Sequence, residues 1–146
     1  MGVKEDLVTL LLAHLSSAAL TWDDDETQAT YDVLVGSPPH VLARDIIAEG
    51  YNCVFTVDDL RAEMRGLIRD EKGFEDGRYL IKTWAIEKGE DIDGVRLKGK
   101  MDDEVKRIFD ENCTDRHIVR WEADNRTVSG TPVYCTVFTV AVAVYS

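Results

Sequence analysis

The segment Val133–Tyr145, VYCTVFTVAVAVY, decides the fold. In a strand, alternate side chains point to opposite faces of the sheet, and here both sets are mostly apolar. One face carries the smaller side chains of Val133, Cys135, Val137, Thr139, Ala141 and Ala143. The other carries Tyr134, Thr136, Phe138, Val140, Val142 and Val144. Because neither face suits water, the fold must cover both.

The chain before this segment offers helices and strands that could cover it. Apolar residues at helical spacing predict a helix over residues 3–19 and another from Asp102 or Asp103 to about Asn112. Further predictions are helices at 41–49 and 58–69, strands at 31–35, 51–57, 79–88, 117–123 and 128–145, a turn at 124–126, and a polar hairpin or loop at 89–100. This order predicts one α+β domain over residues 1–146, with a mostly antiparallel sheet and helices packed on one face.

The face of the last strand that carries the larger side chains predicts contact between subunits. The helices 3–19 and 102–112 can cover the small-residue face, which leaves the larger face to a neighbouring subunit of a ring. The residues predicted at this subunit interface are Tyr134, Phe138, Val140, Val142 and Trp84. Tryptophan is enriched at protein interfaces, although Trp22, Trp84 and Trp121 could equally line the rim of the domain's own core. The alternative is that the helices 41–49 and 58–69 cover the larger face within the same chain.

The charge of the chain excludes several classes of function. Twenty-eight Asp and Glu residues against seventeen Lys and Arg residues give a net charge of −11, which argues against a surface that grips nucleic acid. Asp outnumbers Glu and Arg outnumbers Lys, as in proteins of halophilic hosts; an ordinary acidic protein is the alternative. No apolar run is long enough to span a membrane. The start of the chain does not resemble a signal peptide, which predicts a protein inside the cell.

The sequence contains no motif that predicts catalysis or a cofactor. A nucleophile elbow, a phosphate-binding loop and a dinucleotide-binding fingerprint are all missing from it. Cys113 and His117 could form half of a zinc site, but the other ligands would have to come from distant Cys53 or Cys135, which read as small apolar residues in strands. We therefore expect a protein that is not an enzyme, with no catalytic residues, no metal site and no cofactor.

The order of the predicted elements resembles the tail terminator proteins, also called tail-completion proteins, of long-tailed bacteriophages and archaeal tailed viruses. The resemblance runs from an opening amphipathic helix like Lys4–Ala19, through strands like Tyr51–Val57 and Arg78–Lys88, to a helix like Asp102–Asn112. It ends with a charged strand at 117–124 and a long alternating strand at Tyr134–Tyr145. It therefore covers most of the chain as an order of elements.

The resemblance implies a structural protein of the virion, located in the neck between head and tail and assembled in the host cytoplasm. Such proteins form a ring, expected to be a hexamer, that caps the tail tube and meets the head-completion protein. DNA passes through the ring without specific binding, which suits an acidic lumen. Two acidic loops are the candidates to face this channel, through Asp23, Asp24, Asp25, Glu90, Asp91 and Asp93. The alternatives are a head-completion or adaptor protein of the neck, and a small acidic enzyme or ligand-binding module with His40 or His117 as its base.

Overall fold

The computed structural model describes residues 3–21, 26–36, 38–50, 52–59, 78–86, 94–112 and 116–142. These residues form three helices and six strands, in the order α1 (Val3–His14), β1 (Tyr31–Val35), α2 (His40–Gly50), β2 (Cys53–Asp59), β3 (Arg78–Ile86), α3 (Gly94–Asn112), β4 (Arg116–Ala123), β5 (Arg126–Val128) and β6 (Thr131–Val142). The predicted α+β class is therefore confirmed. A helix was predicted over 58–69, but Asp58 and Asp59 belong to the strand β2. Residues 60–69 lie outside the described ranges.

One six-stranded sheet organises the described chain. Its strands lie in the order β1-β2-β3-β6-β4, and the short β5 also pairs with β6 beyond the end of β4. Only β1 and β2 are parallel, joined by α2 as a crossover helix, and the other four ladders are antiparallel. The apolar β6 lies between β3 and β4, so both of its edges are paired. The mostly antiparallel sheet is thus confirmed, with β1 and β4 as its two edges.

The helices α1 and α3 cover one face of the sheet, and this face is the one with the larger side chains. Buried leucines of α1 and the apolar stripe of α3 pack against Phe55, Ile81, Phe138 and Val140, which are all fully buried. The expectation that these two helices cover the small-residue face is therefore wrong. Both faces of β6 are apolar. The sequence pattern alone therefore did not show which face would pack against α1 and α3.

Helix α2 packs on the opposite face of the sheet. Its Ala43 and Ile47 belong to a second buried cluster with Val54, Trp84, Ile86, Val133 and Cys135. The alanine and cysteine side chains are short, which allows the helix to approach the sheet closely. The described helices therefore lie on both faces, with two on the larger-residue face and one on the small-residue face. The prediction that the helices pack on one face is wrong, because the short side chains of the small-residue face admit α2.

Residues 116–142 form a hairpin, with the consecutive strands β4 and β5 on one arm and β6 on the other. Ser129 and Gly130 form its two-residue turn with φ values of 51° and 82°. Positive φ at both central residues is what a type I′ turn requires, and this turn matches the twist of paired strands. The predicted strand 128–145 is therefore interrupted here, and residues 126–128 belong to the opposing arm.

Helix α3 begins eight residues earlier than predicted. The segment 94–100, expected as part of a hairpin or loop, is helical, and the buried residues Gly94, Leu97 and Met101 continue the stripe that Val105 and Ile108 complete. Glycine is a poor helix former, so Gly94 and Gly99 suggested a loop. Burial of Leu97 against the sheet outweighs this preference, since a fully buried leucine stabilises a fold by about 1.5–3 kcal/mol.

A half-buried carboxylate, that of Asp102, fixes the position of α3 on the sheet. Asp102 accepts hydrogen bonds from the hydroxyls of Thr83 on β3, at 2.6 Å, and Thr136 on β6, at 2.7 Å. Burial raises the pKa of Asp102, whereas these two hydrogen bonds and the nearby charges of Lys98 and Lys106 oppose the increase. One side chain thus ties the helix to two central strands.

A second polar contact joins α3 to the end of α1. The Glu104 carboxylate accepts hydrogen bonds from the Ser16 backbone N–H, at 2.9 Å, and from the Arg107 guanidinium, at 2.7 Å. Arg107 also donates to the carbonyl oxygen of His14 at 2.7 Å. The His14 carbonyl is one of the acceptors that the C-terminal end of a helix leaves without an intrahelical partner. The contacts therefore hold the chain where α1 ends, at His14 rather than at the predicted residue 19.

Glu104→Gln should destabilise the fold at neutral pH by about 1–2 kcal/mol, because hydrogen bonds to a charged group are stronger than neutral ones. The hydrogen bonds from Arg107 lower the pKa of Glu104 below its ordinary value of 4.5. The ionised Glu104 therefore adds stability above about pH 4.5, and this contribution is lost as the pH falls through the lowered pKa. Urea unfolding of both proteins at pH 7 and at pH 3 measures the difference. A gap between them that stays constant with pH would contradict the charged contact.

Candidate functional site

Three of the residues predicted at a subunit interface lie in the core of the single chain. Phe138 and Val140 are fully buried and Val142 is 7% exposed, and all three belong to the cluster under α1 and α3. A side chain that its own chain already covers offers no surface to a neighbour. The assignment of Phe138, Val140 and Val142 to subunit contacts is therefore wrong, and the physical reason is the face that α1 and α3 select.

Trp84 is also a core residue rather than an interface residue. It is 1% exposed, and its indole N–H donates a hydrogen bond of 2.9 Å to the Thr56 hydroxyl. The ring of His40, at the start of α2, meets Trp84 edge-on with 4.9 Å between centroids. The interface assignment of Trp84 is therefore wrong. Tyr134 is half-buried at the end of the same strand ladder, and its predicted role stays a prediction.

The six acidic residues predicted to face a channel lie outside the described ranges. Asp23, Asp24 and Asp25 fall in the gap after residue 21, and Glu90, Asp91 and Asp93 fall in the gap before α3. Their predicted role is untested. Trp22 lies in the first of these gaps as well.

The described surface carries its clearest candidate contact site along the edge strand β4. This strand pairs only with β6 among the described strands, and most of its side chains are exposed. Val119 and Trp121 are 47% and 56% exposed, although both are large and apolar. The ladder with β6 skips Val119, which marks a β-bulge that twists the strand locally. We call this strand, with the adjoining side chains of α3, the β4 edge.

Trp121 forms the centre of the β4 edge. Its ring lies 6.4 Å from the ring of Phe138 on β6, so its inner side rests on the core. The ammonium group of Lys106 on α3 lies 4.5 Å from the centroid of the Trp121 ring, within the range of a cation–π interaction. An aromatic side chain held in one place and still half in water is typical of the residues that dominate protein interfaces.

A cleft of about 440 Å³ opens beside Trp121, between α3 and β4. Phe109 and Ile118 supply its apolar lining, and Lys106, Arg116 and His117 bring basic groups to it. Asp110 is the acidic group in the same lining. The cleft therefore favours a partner group that is apolar or negatively charged.

Among the described histidines and cysteines, His40, Cys53 and Cys135 are buried in the core, whereas His14 and His117 are exposed. His40 is 8% exposed, and its Nε2 lies 2.7 Å from the carbonyl oxygen of Asp124. Burial raises the pKa of the Cys135 thiol to about 12, so this thiol stays protonated at neutral pH. Within the described ranges, no three His, Cys, Asp or Glu side chains come together in a way that could hold a metal ion. Cys113 lies outside these ranges.

The sequence contained a partial signal for the β4 edge. Trp121 was one of three tryptophans considered for interfaces, and the structure separates it from Trp84, which is in the core. The segment 116–123 alternates imperfectly because of the bulge, so its pattern did not show which side chains face outward. Trp121 is exposed because β4 lies at the edge of the sheet, and the order of strands in a sheet is a tertiary property.

The sequence matches no protein-family model, and a comparison with curated proteins finds no significant match. Along the part of the chain that the structure describes, no helix combines the length and apolar character needed to cross a bilayer.

Proposed function

We propose that this chain is a tail terminator, a structural protein of the head–tail neck of a tailed virus. In this role it forms a ring, expected to be a hexamer, on the end of the tail tube and joins the tube to the head-completion protein. The observation that carries the proposal is the order of elements around one sheet. An N-terminal helix, a long central strand, the helix α3 and a final hairpin follow one another as in the family that the sequence resembles.

The surface of the described chain is compatible with this role. A ring subunit needs an exposed surface for its neighbour, and the β4 edge offers Val119 and Trp121 for such a contact. The net charge of −11 suits a ring through which DNA passes, because negative charge at the lumen repels phosphate. The acidic loops with Asp23–Asp25 and Glu90–Asp93 remain our candidates for that lumen.

The size of the particle in solution tests the proposal. Light scattering on a sizing column should give a ring-sized mass, and a hexamer of 16.4 kDa subunits has a mass of about 98 kDa. Negative-stain images of the protein mixed with tail tubes should show one ring at the end of each tube. A monomer or small dimer at every concentration, with bare tube ends, would overturn the proposal.

The same experiment addresses the two alternatives. A head-completion or adaptor protein would also form a ring but would bind the head side and leave the tubes bare. A small ligand-binding module is the alternative that the cleft beside Trp121 favours, and it would remain a monomer or dimer. A ring that leaves the tubes bare would favour the first alternative, and a monomer or dimer would favour the second.

A further inference from the structure

The β-bulge in β4 turns Trp121 toward α3. The ladder with β6 pairs three β4 residues with alternate residues on the face that α1 and α3 cover: Arg116 with Val142, Ile118 with Val140 and Trp121 with Phe138. Regular alternation would instead put Arg120 on this face after Ile118. The bulge at Val119 inserts one extra residue, so that an indole takes the place of a guanidinium. Bulges are frequent beside functional sites because they redirect a side chain in this way.

The cleft beside Trp121 has the size and the lining of a small-molecule site. Its volume of about 440 Å³ lies within the range of about 300–1,000 Å³ that is usual for such sites. Phe109, Ile118 and Trp121 supply apolar walls, and of these three Trp121 is the exposed one. Along β4 the cleft extends about 13 Å from Arg116 to Trp121, because their partners in β6 are four residues apart. It is therefore long enough for a ring system with an attached acidic group.

The charged side chains of the cleft favour a ligand with one negative charge. Among the described lining residues, Lys106 and Arg116 are the permanent cations, and Asp110 supplies the carboxylate. The Lys106 ammonium group lies 4.5 Å from the centroid of the Trp121 ring, and no described carboxylate lies within ion-pair distance of it. A single negative charge balances this excess of one cation. A phosphate monoester brings nearly two charges, and Asp110 repels the second.

We propose that the cleft beside Trp121 binds a small organic monoanion with a flat apolar body, namely an aromatic carboxylate. The ring of this ligand packs against Trp121 and Phe109, and its carboxylate pairs with Lys106. Every group that this contact uses belongs to one chain. The inference therefore goes beyond the proposed ring and does not depend on it.

Titration of the full chain with 2-naphthoate tests the site directly. The indole N–H signals of ¹⁵N-labelled protein report on each tryptophan, and Trp121→Phe assigns the signal of Trp121. We expect 2-naphthoate to shift this signal saturably, with a dissociation constant on the order of 1 mM or below. The signal of Trp84, which is buried under α2, should stay in place. A Trp121 signal that shows no saturable shift up to about 10 mM ligand would overturn the inference.

Two matched ligands test the charge on the wild-type protein. 2-Naphthamide has the same ring without the charge, so it should bind about tenfold more weakly, because it loses the ion pair with Lys106. 2-Naphthyl phosphate carries nearly two negative charges and should bind no more tightly than 2-naphthoate. Equal affinities for 2-naphthoate and 2-naphthamide would overturn the assignment of an anion. Tighter binding of the phosphate would overturn the assignment of a single charge.

Lys106→Gln tests the residue that receives the carboxylate. It should weaken the binding of 2-naphthoate about tenfold and leave that of 2-naphthamide unchanged. Lys98→Gln is the matched control, because Lys98 does not line the cleft and lies eight residues earlier, about 12 Å away along the same helix. Both lysines also act on the pKa of Asp102 in the same direction. The control should bind 2-naphthoate like wild type, and an equal loss in both variants would show that Lys106 does not receive the ligand.

Discussion

Phe138→Asp should abolish the native fold. Phe138 is fully buried between the sheet and the layer of α1 and α3, so the variant loses a large apolar side chain, worth about 3–5 kcal/mol. It also places a carboxylate among buried apolar side chains, which costs several kcal/mol more. Together these losses approach the whole stability of a typical domain, about 5–15 kcal/mol. Circular dichroism should show no native-like spectrum and no cooperative thermal transition.

Trp121→Asp is the control for this experiment. Trp121 is the partner of Phe138 in the ladder between β4 and β6, but it is 56% exposed. The same new charge should therefore be tolerated there, and the variant should remain folded. The contrary outcome would be a folded, monomeric Phe138→Asp protein derived from an assembled wild type. That outcome would indicate that Phe138 lies at a subunit interface and not in the core of the single chain.

Trp84→Ala should lower the free energy of unfolding by about 3–5 kcal/mol. The indole fills the layer between the sheet and α2, contacts the ring of His40, and satisfies the Thr56 hydroxyl. Truncation leaves a cavity and removes that hydrogen bond. Urea unfolding followed by circular dichroism measures the change.

Two further substitutions make the Trp84 result specific. Trp84→Phe keeps an aromatic ring but loses the N–H donor and part of the buried volume, so its cost should be about 1–3 kcal/mol, below that of Trp84→Ala. Trp121→Ala removes an exposed indole and should cost less than Trp84→Ala. If the two alanine variants were equally stable, the burial of Trp84 in the core would be contradicted.

The sequence predicted most elements because each depended on a local pattern. Alternation in β6, the spacing of Leu7 and Leu11, and the stripe through Ile108 report directly on one strand or helix and its buried face. The start of α3 was missed because Gly94 and Gly99 are poor helix formers, and the energy that overrides them comes from distant strands. The sequence also did not show which face of β6 packs against α1 and α3, because alternate residues are apolar on both faces.

The candidate site was less predictable than the fold. Phe138 and Trp121 are both aromatic residues in strands. The sheet order distinguishes them, because Phe138 lies on the central strand β6 and is buried, whereas Trp121 lies on the edge strand β4 and is half in water. The net charge of −11 also gave no indication of the basic side chains at the β4 edge, because the excess of Asp and Glu lies in other segments of the chain. Surfaces of this kind depend on which distant segments the fold brings together.

The central place of β6 affects the order in which the protein can fold. During synthesis β3 and β4 emerge before β6, yet each needs β6 as its neighbour on one side. Until residues 131–142 leave the ribosome, those strands lack this partner, and the pairs that finally form, such as Arg78 with Ala141, are far apart in sequence. Folding that depends on such distant contacts is slow, and open strands can associate with other nascent chains. Among the described strands, the pairing of β3 and β4 with β6 therefore follows the synthesis of residues 131–142.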